Sequence, residues 1–393
     1  MDSRTSALLK FFPDLSGLPA VASGPHEKGR YRSMATDRSL TVGIDLGGTN
    51  TRVGAFDAGM QLVASHSIPT RVTAGPQTCI EDMARITRAL LRSINEEEYA
   101  ADCVLGVGIG SPGPLNLRTG VLGFLPNFPG WDDFPLRDAL ARATGLPVTL
   151  ESDANAAAIA EWKLGAGKAA GLDSMAMLTL GTGVGSGLIL EGRVWHGMFG
   201  MGGEVGHCIV ESGGLLCGCG SRGCLEMYAS GPGLMRLACA AAEGAEGTAS
   251  LRKLVALPGG FTPLDVAELV DRENDAAARS AFERLGQYLG LGIASLINML
   301  DLPLIIIGGG VSTAWPLFAP AMFRAVREHS VVYRLVAPSQ FESRELDRTF
   351  IRRAELGSVA GLLGAGLLPR LASVQSATAA KNGTPTRIPE MAR

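Results

Sequence analysis

Hydrophobic positions along the chain fall into short runs that end again and again in Gly, Asp and Thr. Residues 40–45, 51–56 and 61–68 predict three strands so closely spaced that no crossover helix fits between them, which implies an antiparallel meander. Helical periodicity follows over 76–95, then a strand at 104–109, a helix at 134–144, a short strand at 147–150 and an alanine-rich helix at 153–164. Residues 165–171, with Gly at both ends, read as a hinge. The second half repeats the plan. A strand at 175–180 leads into GTGVGSG and a strand at 188–190, helices dominate 233–300 apart from a break at 258–263, and a strand at 304–307 runs into GGGVS. A closing helix spans about 357–368. Two α/β lobes facing a cleft are the expected architecture. Their bounds would be 40–165 together with the closing helix to about 370, and 166–356, with flexible segments at 1–39 and 371–393.

Composition narrows the class of function. Charged residues make up 19% and net charge is −3, without the basic face that nucleic-acid binding requires. The apolar runs are too short to cross a bilayer, and the first residues carry no convincing cleavage site, so a cytoplasmic protein without membrane or nucleic-acid partners is expected. Of seven cysteines, three fall between Cys217 and Cys224, a spacing that suggests metal ligation rather than a disulfide framework. The 52 glycines cluster at the ends of apolar segments, where backbone can approach a ligand.

Three of these glycine clusters are candidate binding loops. Asp45, Gly47, Gly48 and Thr49 combine N–H groups for an anion, a hydroxyl donor and a carboxylate able to hold hydrated Mg²⁺; a hairpin turn containing an Asp is the plainer alternative. The second loop, around Gly181, Thr182 and Gly183, lacks the Lys of a Walker loop and runs into a strand rather than a helix, which disfavours a dinucleotide fold. Two such loops in different lobes suit a polyphosphate gripped from both sides. The third, with Gly309 and Gly310, suits backbone packed on a flat adenosine, or simply close packing on a helix. Asp153 stands at a helix start, where it either caps the helix or accepts a proton from an attacking hydroxyl.

His207, Cys217, Cys219 and Cys224 form a closed Cys₃His set for structural Zn²⁺, with Cys208 as the one competing ligand. A loop tied in this way would hold Glu204 and Glu226 where their carboxylates accept hydrogen bonds from a polyol.

Together DLGGTN at 45–50, SPGPL at 111–115, PNFPGW at 126–131, SDANAAA at 152–158, LGTGVGSGLILEGRVWHG at 180–197, GEVGH at 203–207 and CGCGSRGCLE at 217–226 resemble the ROK family of repressors and sugar kinases, over about 40–370. The resemblance implies an actin-like ATPase fold of the hexokinase, ribonuclease H-like type, closing on ATP and a sugar, in a homodimer. It implies Asp153 as general base, Asp45 near Mg²⁺, and sugar contacts from Gly113, Asn127, Ser152, Glu204, His207 and Glu226, with His207 also on zinc. Gly47, Gly48, Thr49, Gly181, Thr182 and Gly183 would hold ATP phosphates, and Gly309 and Gly310 would border the adenosine. PNFPGW and the cysteine motif are similar to the glucokinase-like branch; fructose, mannose, N-acetylglucosamine and N-acetylmannosamine are the alternative sugars, and polyphosphate the alternative donor. Ser152 departs from the Asn that usually precedes the base, which calls for a water bridge or another sugar. A sugar-sensing repressor would carry a winged helix-turn-helix ahead of DLGGTN, and the roughly 40 residues there show no paired helices with a basic face.

Overall fold

The computed structural model describes residues 37–94, 103–123, 125, 127–336 and 349–382; residues 1–36 of the extension expected over 1–39, and 383–393 of the tail expected over 371–393, lie outside them. The first half begins with β1 (Leu40–Leu46), β2 (Asn50–Phe56) and β3 (Leu62–Pro69), followed by α1 (Pro76–Ser93) and β4 (Val104–Ser111). A small hairpin, β5 (Leu115–Asn116) and β6 (Val121–Leu122), then leads to α2 (Leu136–Thr144), β7 (Val148–Ser152), α3 (Asp153–Leu164) and the short α4 (Ala166–Ala170). The second half runs through β8 (Met175–Leu180), β9 (Val184–Leu190) and β10 (Arg193–Val194) to α5 (Glu226–Ala229) and α6 (Gly231–Glu243). It continues with α7 (Ala249–Val255), α8 (Pro263–Glu273), α9 (Ala276–Leu300), β11 (Leu304–Gly308), α10 (Trp315–His329) and α11 (Val331–Val336). β12 (Phe350–Arg353) and α12 (Ala360–Asn382) complete it.

The two main sheets share one topology. One has the order β3-β2-β1-β4-β7 and the other β10-β9-β8-β11-β12. In each, three strands form an antiparallel meander and two further strands add in parallel to the first strand of that meander. The expected meander at 40–68 is therefore present, and it recurs in the second half.

Between the sheets lie α3 and α12. A hydrophobic core there joins Phe56 of the first sheet to Met175, Met177, Ile189 and Ile306 of the second, with Ala157, Ala158, Ile159 and Ala160 of α3 and Leu362, Leu367 and Leu368 of α12 between them. Alanine suits α3 because both of its faces are covered. On one side a Cβ at Gly364 of α12 would collide with the Ala156 carbonyl; on the other, a Cβ at Gly187 of β9 would lie 2.5 Å from the Ala158 Cβ. Those two glycines are there for close approach rather than for turning.

Several expected bounds shift. The expected hinge at 165–171 holds the helix α4. Half of the GTGVGSG loop is strand, because Val184 and Gly185 already pair with Leu180 and Thr179. The closing helix continues through Pro369 to Asn382, so 371–382 is helix rather than loose tail. Gly357–Val374 is also apolar and long enough to span a bilayer by composition and length, contrary to the expectation that no segment would be; here α12 packs on α3, β1 and β4. The strand β12 and helix α10 carried no expectation.

Substituting Gly364 by Ala places a methyl against the Ala156 backbone. A loss of about 1–3 kcal/mol is expected, read as a lower urea midpoint at unchanged slope.

Candidate functional site

The parallel strands of each sheet end together, and the polar loops follow those ends. In the first sheet Asp45 of β1 lies opposite Gly110 of β4, and Ser111 lies opposite Ser152 of β7. Asp45, Asp153 and Gly113 thus follow or close three adjacent strands at one sheet edge. In the second, Thr179 pairs with Gly308, which brings the loops at Gly181–Gly183 and Gly309–Gly310 side by side. This is the edge at which open α/β sheets bind ligands.

Asp153 is the first residue of α3, but it is not the cap. Ser152 Oγ takes that role, accepting the Asn155 N–H at 3.1 Å. Asp153 Oδ1 accepts the Ala154 N–H at 2.7 Å. The carboxyl surface opens to the cleft, yet protein surrounds it closely, and this burial, aided by the charges of Asp45 and Glu204, raises its pKa to about 6. Three carboxylates from distant segments, Asp45, Asp153 and Glu204, therefore converge. Asp45 Oδ2 accepts from Arg52 at 2.6 Å, and Oδ1 lies beside Gly361. Arg52 in turn donates to the Ser358 carbonyl at 2.7 Å, so the first strand loop and the approach to α12 are tied together.

The first glycine loop is closed by the Gly47 N–H on the Asn50 carbonyl at 3.1 Å, and the Thr49 carbonyl accepts from Thr70 at 2.7 Å. Gly48 lies beside the Phe128 ring, which packs edge-on to the buried Trp131 at 5.2 Å. Asn127, exposed and next in chain to Phe128, is thereby brought beside that loop.

Glu204, His207 and Glu226 are held by β9. Ser186 Oγ, inside the second glycine motif, donates to the Gly203 carbonyl and accepts the Val205 N–H at 3.0 Å, so it brackets Glu204 on both sides. Val184 meets the rest: its N–H donates to Glu226 Oε2 at 3.1 Å, and its carbonyl would clash with any Cβ at Gly206. Gly183 likewise leaves room for the Glu226 carboxylate. Ser186 was not among the candidates; its signal lay within a motif read only for its glycines.

The ligand atoms of His207, Cys217, Cys219 and Cys224 all lie within 4.8 Å of one another. Cys219 Sγ is 3.6 Å from Cys224 Sγ, and Cys217 Sγ is 3.7 Å from His207 Nδ1. A zinc tetrahedron with arms of about 2.3 Å has edges of about 3.8 Å, so this donor set fits zinc. Cys208 is outside the set and exposed, which removes the competing ligand. Nδ1 is the His207 nitrogen beside Cys217 Sγ, so Nε2 is the nitrogen not committed to that contact. Burial pushes the Cys224 thiol up to about 12, while the Ser221 backbone draws Cys219 down to about 7. The loop is fastened from behind by Tyr228, which accepts the Leu215 N–H at 2.9 Å and stacks on Tyr288 of α9 at 4.2 Å.

A cavity of about 360 Å³ opens beside the second glycine loop. Gly181, Thr182 and Gly310 line it, together with Pro232, Met235, Leu264, Phe282 and Val311 from α6, α8, α9 and the turn after β11. Its walls are mostly apolar, and Asp153, Glu204 and Asn127 do not reach it. The Gly231 N–H bonds to the Gly181 carbonyl at 2.8 Å, fixing the start of α6 against the loop. Those apolar helix residues read in the sequence as ordinary core, so the wall they build was not foreseen.

A sequence model of the ROK family matches residues 41–370. A glucokinase of Halalkalibacterium halodurans is 36% identical over 332 residues, 83% of this chain and 94% of that protein. The crystal structure of a ROK hexokinase from Thermus thermophilus shares 35% identity and superposes with a TM-score of 0.67, covering 86% of this chain and 99% of that one. A ROK family glucokinase from Streptomyces griseus, solved in complex with glucose and AMPPNP, is 33% identical with a TM-score of 0.67, covering 85% of this chain and all of that one (100%). The shared architecture is the actin-like ATPase fold.

Metal analysis of the purified protein is expected to find roughly one zinc per chain, in a closed four-ligand site. Cys217→Ser and Cys224→Ser lose it, whereas Cys208→Ser retains it; zinc loss in the Cys208 variant alone would assign the cage wrongly.

Proposed function

The chain belongs to the ROK family, and from that premise we propose that it is an ATP-dependent sugar kinase that phosphorylates the 6-hydroxyl of a hexose, with glucose as the preferred sugar. The observation that carries this reading is Asp153: a carboxyl with a pKa of about 6, at the helix start between two glycine loops, with its capping duty taken by Ser152.

In this reading the sugar lies against Gly113, Asn127, Ser152, Glu204, His207 and Glu226. The carboxylates of Glu204 and Glu226 and His207 Nε2 hold its ring hydroxyls, which orients the 6-hydroxyl toward Asp153. Ser152 Oγ accepts the Asn155 N–H and still has its own proton and a second lone pair to offer the sugar, directly or through water. Asp153 takes the proton of the 6-hydroxyl as that oxygen attacks the γ-phosphorus of ATP, and ADP departs. The phosphates lie between Gly47–Thr49 and Gly181–Gly183, and the adenosine fills the apolar cavity beside Gly309 and Gly310. Asp45 would hold Mg²⁺, whose charge neutralises the phosphates; its Oδ1 is the oxygen not paired with Arg52. Zinc in the cage would keep His207 and Glu226 in place. The halves 40–165 with 357–370 and 166–356 act as lobes that close on both substrates. The reading also takes the protein to be cytoplasmic and a homodimer, which light scattering tests.

A coupled ADP-release assay over glucose, fructose, mannose, N-acetylglucosamine and N-acetylmannosamine, with ATP or polyphosphate as donor, is expected to give the highest kcat/KM with glucose and ATP. Turnover with none of these pairs refutes the proposal. Asp153→Asn is expected to lower kcat by about 10²–10⁴-fold, with glucose still bound. The base works only when deprotonated, so kcat/KM should fall with unit slope as pH drops below about 6 and stay level just above it.

A further inference from the structure

Glu151 and His196 stand outside every role described so far. Glu151 is buried, the second residue before Asp153, and its carboxylate makes three contacts. Oε1 accepts the Ser152 N–H at 2.9 Å and the Asn155 side-chain amide at 2.9 Å, and so grips the residues on both sides of Asp153. Oε2 meets His196 Nε2 at 2.6 Å, across 45 residues of sequence. The bond to Glu151 raises the His196 pKa above the ordinary imidazole value, which favours the protonated ring.

His196 opens the loop that ends at Glu204. The Trp195 N–H bonds to the Leu188 carbonyl at 2.8 Å, and the Gly202 N–H returns to the His196 carbonyl at 2.8 Å, closing 196–202 into a ring. The tip of that ring is exposed, with Met198 and Phe199 at 86% and 78%, so little packing holds it. Among the described residues, side chains fasten it through Ser186 at Gly203 and Val205, and through His196 at Glu151.

We propose that Glu151 and His196 are a positioning pair that fastens the loop carrying Glu204 to the turn carrying Asp153, so that base and sugar-holding carboxylate meet the sugar as one unit. The proposal rests on Asp153 being the base. The carboxylate of Glu151 reaches both partners: one oxygen is committed to the turn and the other to the loop. Neither residue touches the cysteine cage or the apolar cavity. Loss of the pair therefore affects the sugar side of the reaction and leaves the nucleotide side as it was.

The full-length enzyme and its His196→Ala and His196→Gln variants are compared by steady-state kinetics and by glucose calorimetry. For His196→Ala, kcat is expected to fall at least about tenfold and glucose to bind several-fold more weakly, because small misplacements of a base are costly. KM for ATP should stay within about twofold, and His196→Gln, whose amide can donate to Glu151, should recover most of the loss. Unchanged kcat and glucose affinity in His196→Ala overturns the proposal. So does a loss that raises KM for ATP in parallel, lowers the melting temperature and is not recovered by Gln, since that marks general structural damage. A parent enzyme that binds sugar but turns none over refutes the kinase reading instead; calorimetry then decides the pair, and equal affinity in His196→Ala overturns it. A parent that binds no sugar overturns both.

Discussion

The structure depends on the close packing of α3 between the two halves of the molecule. One face of this alanine-rich helix lies on β9 and the other on α12, at separations that glycine permits at Gly187 and Gly364. Because α3 begins at Asp153, the same packing fixes where that carboxylate stands. Larger side chains on α3 would push the sheets apart and carry Asp153 away from the loops opposite it. The helix also ends in a clasp: Glu161, fully buried, accepts the Ala166 N–H at 3.1 Å and the Leu356 N–H at 2.8 Å. One carboxylate thereby ties the chain at Ala166, just after α3, to the chain at Leu356, just before α12.

Electrostatics at the cleft follow from the same geometry. Asp45, Asp153 and Glu204 come from three strand or loop ends, and the charges of Asp45 and Glu204 both act on Asp153. The loss of water, aided by repulsion from Asp45 and Glu204, keeps Asp153 protonated to a higher pH than an ordinary aspartate. Arg52 balances Asp45. In the proposed reaction a carboxyl with a pKa raised in this way would receive a proton from a hydroxyl and release it again after each turnover.

Much of this could be read from residue order. Three cysteines and a histidine pointed to a candidate zinc cage because thiolate and imidazole are zinc's usual ligands; the structure brings those four together and leaves Cys208 outside the set. The bounds of α3 came out as expected because Ser152 is a good cap and a run of alanines follows. Distance defeated the rest. Ser186, Glu151 and His196 act through partners 17 to 45 residues away, and no local pattern marks such pairs. Met235, Leu264 and Phe282 look like any core residues until the helices that carry them are placed side by side. β12 is a four-residue strand without alternation, and α12 runs past Pro369 because its packing on the sheet outweighs the missing N–H.

If α3 sets Asp153 at the hydroxyl that is to be phosphorylated, the position of the new phosphoester reports its placement directly. Carbon NMR of labelled glucose after incubation with the enzyme, ATP and Mg²⁺ is expected to show phosphorus coupling at carbon 6 alone. Phosphate at carbon 1, or ADP formed with no sugar ester at all, would contradict the account.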